Sequence, residues 1–100
     1  MSEFSLLTLI CPPGLEEPLV DWLLESLPDH GFSTFPVSGH SSRHQGLSLA
    51  EQVAGRKRQV RFELHAPEAE LFRLVERLTT EFAGTGLHYW MTPVLAQGRI

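Results

Sequence analysis

Residues 59–65 (QVRFELH) set Val60, Phe62 and Leu64 in alternation with Arg61 and Glu63. A period of two predicts a strand with one buried face. Residues 4–11 (FSLLTLIC) form a short apolar run closed by Pro12 and Pro13, too short for a firm helix and well suited to a buried strand. From Gly14 the period changes: Leu15, Leu19, Trp22, Leu23 and Leu27 recur at helical spacing with Glu16, Glu17, Asp21 and Glu25 between them. Pro18 fits only the first turn of a helix, which sets the start near Gly14 to Glu17, and early carboxylates suit the positive end of the helix dipole. Trp22 lies on the stripe and is expected in the core. Pro28 to Gly31 end this helix, and Phe32 to Val37 read as the next strand, with Phe35 and Val37 on one face. Pro36 cannot donate to a ladder, so that strand is expected at an edge or bulged.

After the alternating strand, Pro67 opens a second helix. Leu71, Leu74, Val75, Leu78 and Phe82 are its apolar stripe, and Glu68, Glu70, Glu76, Arg77 and Glu81 its wet side. Gly84 and Gly86 break it, and Leu87 to Val94 (LHYWMTPV) form a fourth strand rich in aromatics. The order β-α-β, long connection, β-α-β predicts an α+β chain of the ferredoxin-like βαββαβ plan. One four-stranded antiparallel sheet carries both helices on one face, as one domain over residues 1–100. The other face must meet solvent, a ligand or another subunit, and Tyr89, Trp90 and Met91 favour a subunit.

The connection from Ser38 to Gly55 (SGHSSRHQGLSLAEQVAG) is far longer than two adjacent antiparallel strands need. It carries His40, Arg43 and His44, and Arg56, Lys57 and Arg58 follow at once. The segment 38–56 is therefore the expected working part. His40 and His44 are four residues apart, a spacing that serves a metal ion on a helical turn with a third ligand from His88, Cys11 or another subunit. The plainer reading, two solvated loop histidines, is favoured. Arg56, Lys57 and Arg58 are candidates to hold phosphate, the guanidinium groups bidentately, and Gly39 or Gly55 allows close backbone approach; the alternative is a charged strand end that blunts edge pairing. Leu47, Leu49 and Val53 are candidates for partner contact. Cys11 is read as a small buried hydrophobe rather than a ligand or reactive thiol. His65 and His88 are read as strand-surface residues.

A net charge of −4 argues against nucleic acid, and the aromatics do not interleave with the basic run. One cysteine precludes an intrachain disulfide and fits a reducing compartment. No signal-like start and no membrane-length apolar run is evident, so a cytoplasmic location without membrane insertion is expected. No nucleophile–base pair, Walker loop or carboxylate dyad appears, and no enzymatic activity is expected.

These residues resemble a known group. A ferredoxin-like chain of this length with a long loop between strands two and three is similar to the PII-like signalling proteins, relatives of PII and CutA. Gly39-His40 opens the loop, Gly55-Arg56-Lys57-Arg58 closes it, and Gly84-Thr85-Gly86 precedes an aromatic strand ending Thr92-Pro93-Val94. The pattern SGH…EQVAGRKRQVRFEL is most similar to a branch found beside heavy-metal efflux genes. The resemblance implies a homotrimer with inward-facing sheets and ligand clefts between subunits, roofed by a T-loop-like arm. It implies an adenine nucleotide or a divalent or soft metal ion as ligand, and a partner such as a membrane transporter. On this basis Gly39, His40, Arg56, Arg58, Gly84 and Gly86 are the expected ligand site. Unlike PII, the loop has no tyrosine, and basic residues are absent at Gly84 to Gly86. Alternatives are a CutA-like metal-tolerance module, an enzyme using His88 or Tyr89 in a sheet-lined pocket, and a passive assembly domain.

Overall fold

The computed structural model describes residues 3–41 and 56–100. In chain order these form β1 (Phe4–Cys11), a 3-10 turn (Pro13–Leu15), α1 (Glu16–Ser26), β2 (Ser33–Gly39), β3 (Lys57–Pro67), α2 (Glu68–Glu81) and β4 (His88–Pro93). The strands make one antiparallel sheet in the order β2-β3-β1-β4, the expected ferredoxin-like arrangement. β1 has the predicted bounds. β2 lies at a sheet edge, which tolerates the missing N–H of Pro36. β3 runs beyond its alternating centre at both ends, because pairing with β1 and β2 holds Lys57, Arg58 and Pro67 in the ladder. β2 likewise continues through Ser38 and Gly39, so the first two residues of the predicted loop are strand. Pro67 ends β3 and also caps α2, whose first turn carries Glu68 and Glu70 at the favourable end of the dipole.

Register sorts the side chains into two layers. Leu7 pairs with Leu64, Leu9 with Phe62 and Cys11 with Val60, and all six are buried in the core with Leu19 and Leu23 of α1 and Leu71, Leu74, Val75 and Leu78 of α2. The alternation of β3 therefore points its apolar set at the helices, where each large side chain removes its surface from water. Glu70 Oε2 lies 3.2 Å from His30 Nε2 and ties the start of α2 to the turn after α1. Trp22 departs from expectation: it packs against the core's rim rather than inside it. Its ring meets Phe82 edge-on at 5.5 Å, the Arg77 guanidinium lies 4.8 Å from its centroid, and Nε1 has no acceptor among the described residues. A large indole is seldom buried whole, and this one keeps part of its surface in solvent. Cys11 is a buried core residue, as expected.

Candidate functional site

The second layer is the face away from the helices. β1 contributes Phe4, Leu6, Thr8 and Ile10, and none of these belongs to the helix-side core. Register places Arg61 and His88 on either side of Ile10, and Glu63 and Trp90 on either side of Thr8. Phe35 of β2 pairs with Arg61, and Val37 with Gln59, so both expected partners in β2 lie on this open face. Arg61 binds Glu63 at 3.0 Å and lies 5.4 Å from the Phe35 ring centroid. His65 lies against Phe4, and His88 against Trp90 at 5.3 Å. Both histidines are strand-surface residues, as expected.

Alternation divides the aromatic segment expected to meet a subunit. Trp90 shares the open face with Thr8, whereas Tyr89 pairs with Leu9 and Met91 with Leu7 on the helix side. Adjacent residues of a strand point to opposite faces, so the three never act as one patch. The Phe35–Arg61–Glu63 group is a feature that charge clustering alone missed. The signal available was the period of two, which puts Arg61 and Glu63 on the face opposite Val60 and Phe62.

The proposed ligand residues fall into two places. Gly39 pairs with Lys57 and Ser38 with Arg58, so Gly39, His40, Arg56 and Arg58 gather where β2 ends and β3 begins. Gly39 lies against the Gln59 side chain, in the space a Cβ would need. His40 and Arg56 are exposed. Gly84 and Gly86 lie in the turn from α2 to β4, with φ of +77° and +84°, a conformation that suits glycine. Thr85 closes this turn through its Oγ1, which donates to the Phe82 carbonyl at 2.7 Å. Both places are at the same end of the sheet, but β2 and β4 are its opposite edges. Three strand spacings, about 14 Å, separate them in one chain.

His44, Leu47, Leu49 and Val53 lie outside the described residues. Among the described residues, no group of three His, Cys, Asp or Glu side chains is placed to hold a metal ion. Cys11 and His88 face opposite sides of the sheet, and His88 is on the edge far from His40, so these do not complete a site with His40 within one chain. Burial, and secondarily the charge of Glu16, pushes the Cys11 thiol up from 9.0 to about 11, which keeps it protonated and a poor ligand at neutral pH. No described helix is long and apolar enough to cross a membrane.

Comparison with solved structures agrees with this architecture. A family protein (DUF3240) from Shewanella baltica OS155 is 27% identical with a TM-score of 0.79, and the match covers 100% of this chain and 99% of that one. CPII, a nitrogen regulatory PII-like protein from Thiomonas intermedia K12 solved with ADP, AMP and bicarbonate, is 16% identical with a TM-score of 0.70, over 97% of this chain and 96% of that one. The periplasmic divalent cation tolerance protein CutA from Archaeoglobus fulgidus is 9% identical with a TM-score of 0.69, over 96% and 88%. The last two establish a shared fold. A search of curated proteins finds no match. Over residues 1–100 the chain matches the family described as "Protein of unknown function (DUF3240)", and it belongs to that family, whose fold is the one shared by PII-like and CutA proteins.

Proposed function

We propose that this chain is a PII-like regulatory protein rather than an enzyme. It assembles as a homotrimer through the open sheet face and responds to a small ligand at clefts between subunits. The reading rests on one observation: the two halves of the predicted site lie at one end of the sheet on opposite edges, and the face between them carries Phe4, Leu6, Ile10, Phe35 and Trp90 with no covering helix among the described residues. One chain keeps the two halves apart, whereas a neighbour's β4 edge brought to the β2 edge makes one cleft of them. The open face supplies the apolar surface to hold such neighbours, and a small domain gains stability by hiding it.

The ligand class we favour is an adenine nucleotide. Arg56 and Arg58 offer charge-assisted bonds to phosphate oxygens, and Gly39 with Gly84 and Gly86 lets backbone N–H groups approach. The nucleotides and bicarbonate in the CPII structure support this class. Ligand contact at the root of the arm spanning 38–56 would bias its arrangement and so its fit to a partner, for which a heavy-metal efflux transporter is our candidate. The CutA likeness supports a second reading, in which a divalent or soft metal ion is itself the cargo, with His40 and His44 as ligands. Solution mass together with calorimetric titration of ATP, ADP, cyclic AMP, zinc and copper tests the scheme. A trimer that binds a nucleotide supports the regulatory reading, a trimer that binds only metal supports the second, and a monomer at micromolar concentration overturns both.

A further inference from the structure

On the helix side of the sheet a cleft of about 250 Å³ opens between α2 and β4. Leu9, Val75, Leu78 and Leu87 make its walls apolar, and Gly84 and Gly86 of the turn before β4 also line it. Tyr89, 49% exposed, brings an aromatic ring to its margin. A pocket for a whole drug-sized molecule holds roughly 300–1,000 Å³, so this smaller cleft suits one flat ring system with the rest of the ligand outside it. Thr79 lines the cleft from α2, and its Oγ1 donates to the Val75 carbonyl at 2.8 Å. A hydroxyl carries one hydrogen, and this one is committed to the helix, so towards the cleft Thr79 is an acceptor only.

Alternation fixes the face of the nearest cation. Val60 and Phe62 lie in the helix-side core, and the unbroken β2–β3 register carries the same side on to Arg58. Arg58 therefore belongs to the side of the sheet on which the cleft opens, but near the opposite edge. One chain holds the two apart, and a β2 edge set beside a neighbour's β4 edge makes them adjoin.

We propose that the α2–β4 cleft is the base pocket of the nucleotide site, and that Thr79 Oγ1 there accepts a hydrogen bond from the 6-amino group of adenine. The phosphates run out past Gly84 and Gly86 to Arg58 of the neighbouring copy. The inference rests on the nucleotide reading above and adds to it which part of the ligand is recognised and by which side chain. Tyr89 gives the base a ring to stack on, and the aliphatic walls take its faces out of water. An acceptor in an apolar cleft favours a purine with a donor at position 6 and loses its bond to one without.

Calorimetric titration of the full-length protein with ADP, and with the analogue in which hydrogen replaces the 6-amino group, tests this. The unsubstituted protein is expected to bind ADP at least about threefold more tightly than the analogue, the worth of one neutral hydrogen bond. Thr79→Val, which keeps the shape and removes the acceptor, is expected to bring that ratio close to one, and Thr79→Ser, which keeps the acceptor, to preserve it. Arg58→Ala is expected to weaken both nucleotides by the same factor, and undiminished affinity in that variant removes the phosphate end of the proposal. Equal affinities in the unsubstituted protein, or a ratio that survives in Thr79→Val, overturn the base pocket and leave the nucleotide reading standing. Failure of the unsubstituted protein to bind ADP at all overturns the nucleotide reading and the pocket with it.

Discussion

Trp90 faces Thr8 across the β1–β4 pairing, and Thr8 is only 1% exposed although neither described helix packs on that side of the sheet. Its other register partner, Glu63, is held by Arg61, so ordered side chains already screen the middle of the open face. Trp90 itself remains 39% exposed. If this face is the subunit interface, Trp90→Glu puts a charge into its centre without touching the helix-side core. The variant is expected to keep its far-ultraviolet circular dichroism and fall to monomer by light scattering. An unchanged mass would place the interface elsewhere.

The proposed ligand site predicts that binding depends on residues of the loop root. Paired substitution of His40→Ala and Arg56→Ala, both exposed, removes donors without opening a cavity. Titration of the ligand that binds the unsubstituted protein is expected to show at least about tenfold weaker affinity, the loss of one charge-assisted contact or more. Unaltered affinity would take the site away from this end of β2 and β3.

The buried Cys11 makes stability depend on alkaline pH. Its thiol is raised from 9.0 to about 11 in the folded chain, chiefly by burial. Between those values the unfolded chain releases a proton that the folded chain keeps, so the thiol's contribution is whole below pH 9.0 and is lost as pH rises through about 11. At roughly 1.4 kcal/mol per unit, about 2 kcal/mol disappears between about pH 8 and about pH 10.5. Urea unfolding of the native sequence and of Cys11→Ala at both pH values isolates this from the other titrating groups. Parallel losses in the two proteins would refute the assignment.

Gly84 and Gly86 hold positive φ in the turn that starts β4, and an added Cβ at either meets nothing within 4 Å. The cost of alanine there is therefore backbone conformation alone, about 1–2 kcal/mol at each position. Gly31, where an added Cβ also meets open space but φ is not positive, is the control, and Gly31→Ala is expected within about 0.5 kcal/mol of the native sequence. Denaturant midpoints at unchanged m-value decide between these expectations.

Strand and helix identities were legible because each depends on the spacing of near neighbours. The alternation of Val60, Phe62 and Leu64, the stripe from Leu71 to Leu78 and the Pro36 edge signal all find their places. The exact ends of β3, the division of Tyr89 from Trp90 and the rim position of Trp22 were not legible in the same way. The first depends on how far partner strands extend, the second on which face of β4 the helices cover, and the third on what α2 sets beside the ring, Phe82 and Arg77. The candidate ligand residues were named from sequence, but their division between two sheet edges follows only from the order β2-β3-β1-β4.

The order of hydrophobic and polar residues thus determined that the four strands and two helices of the described residues form, because local periodicity is set by backbone geometry within a few residues. Tertiary structure decided which side chains share a face: strands far apart in the chain pair in one register, and a shift of one residue would exchange the buried and open sets. It is this long-range pairing that set Thr8 between Glu63 and Trp90 and left Phe35, Arg61 and Trp90 looking outward together.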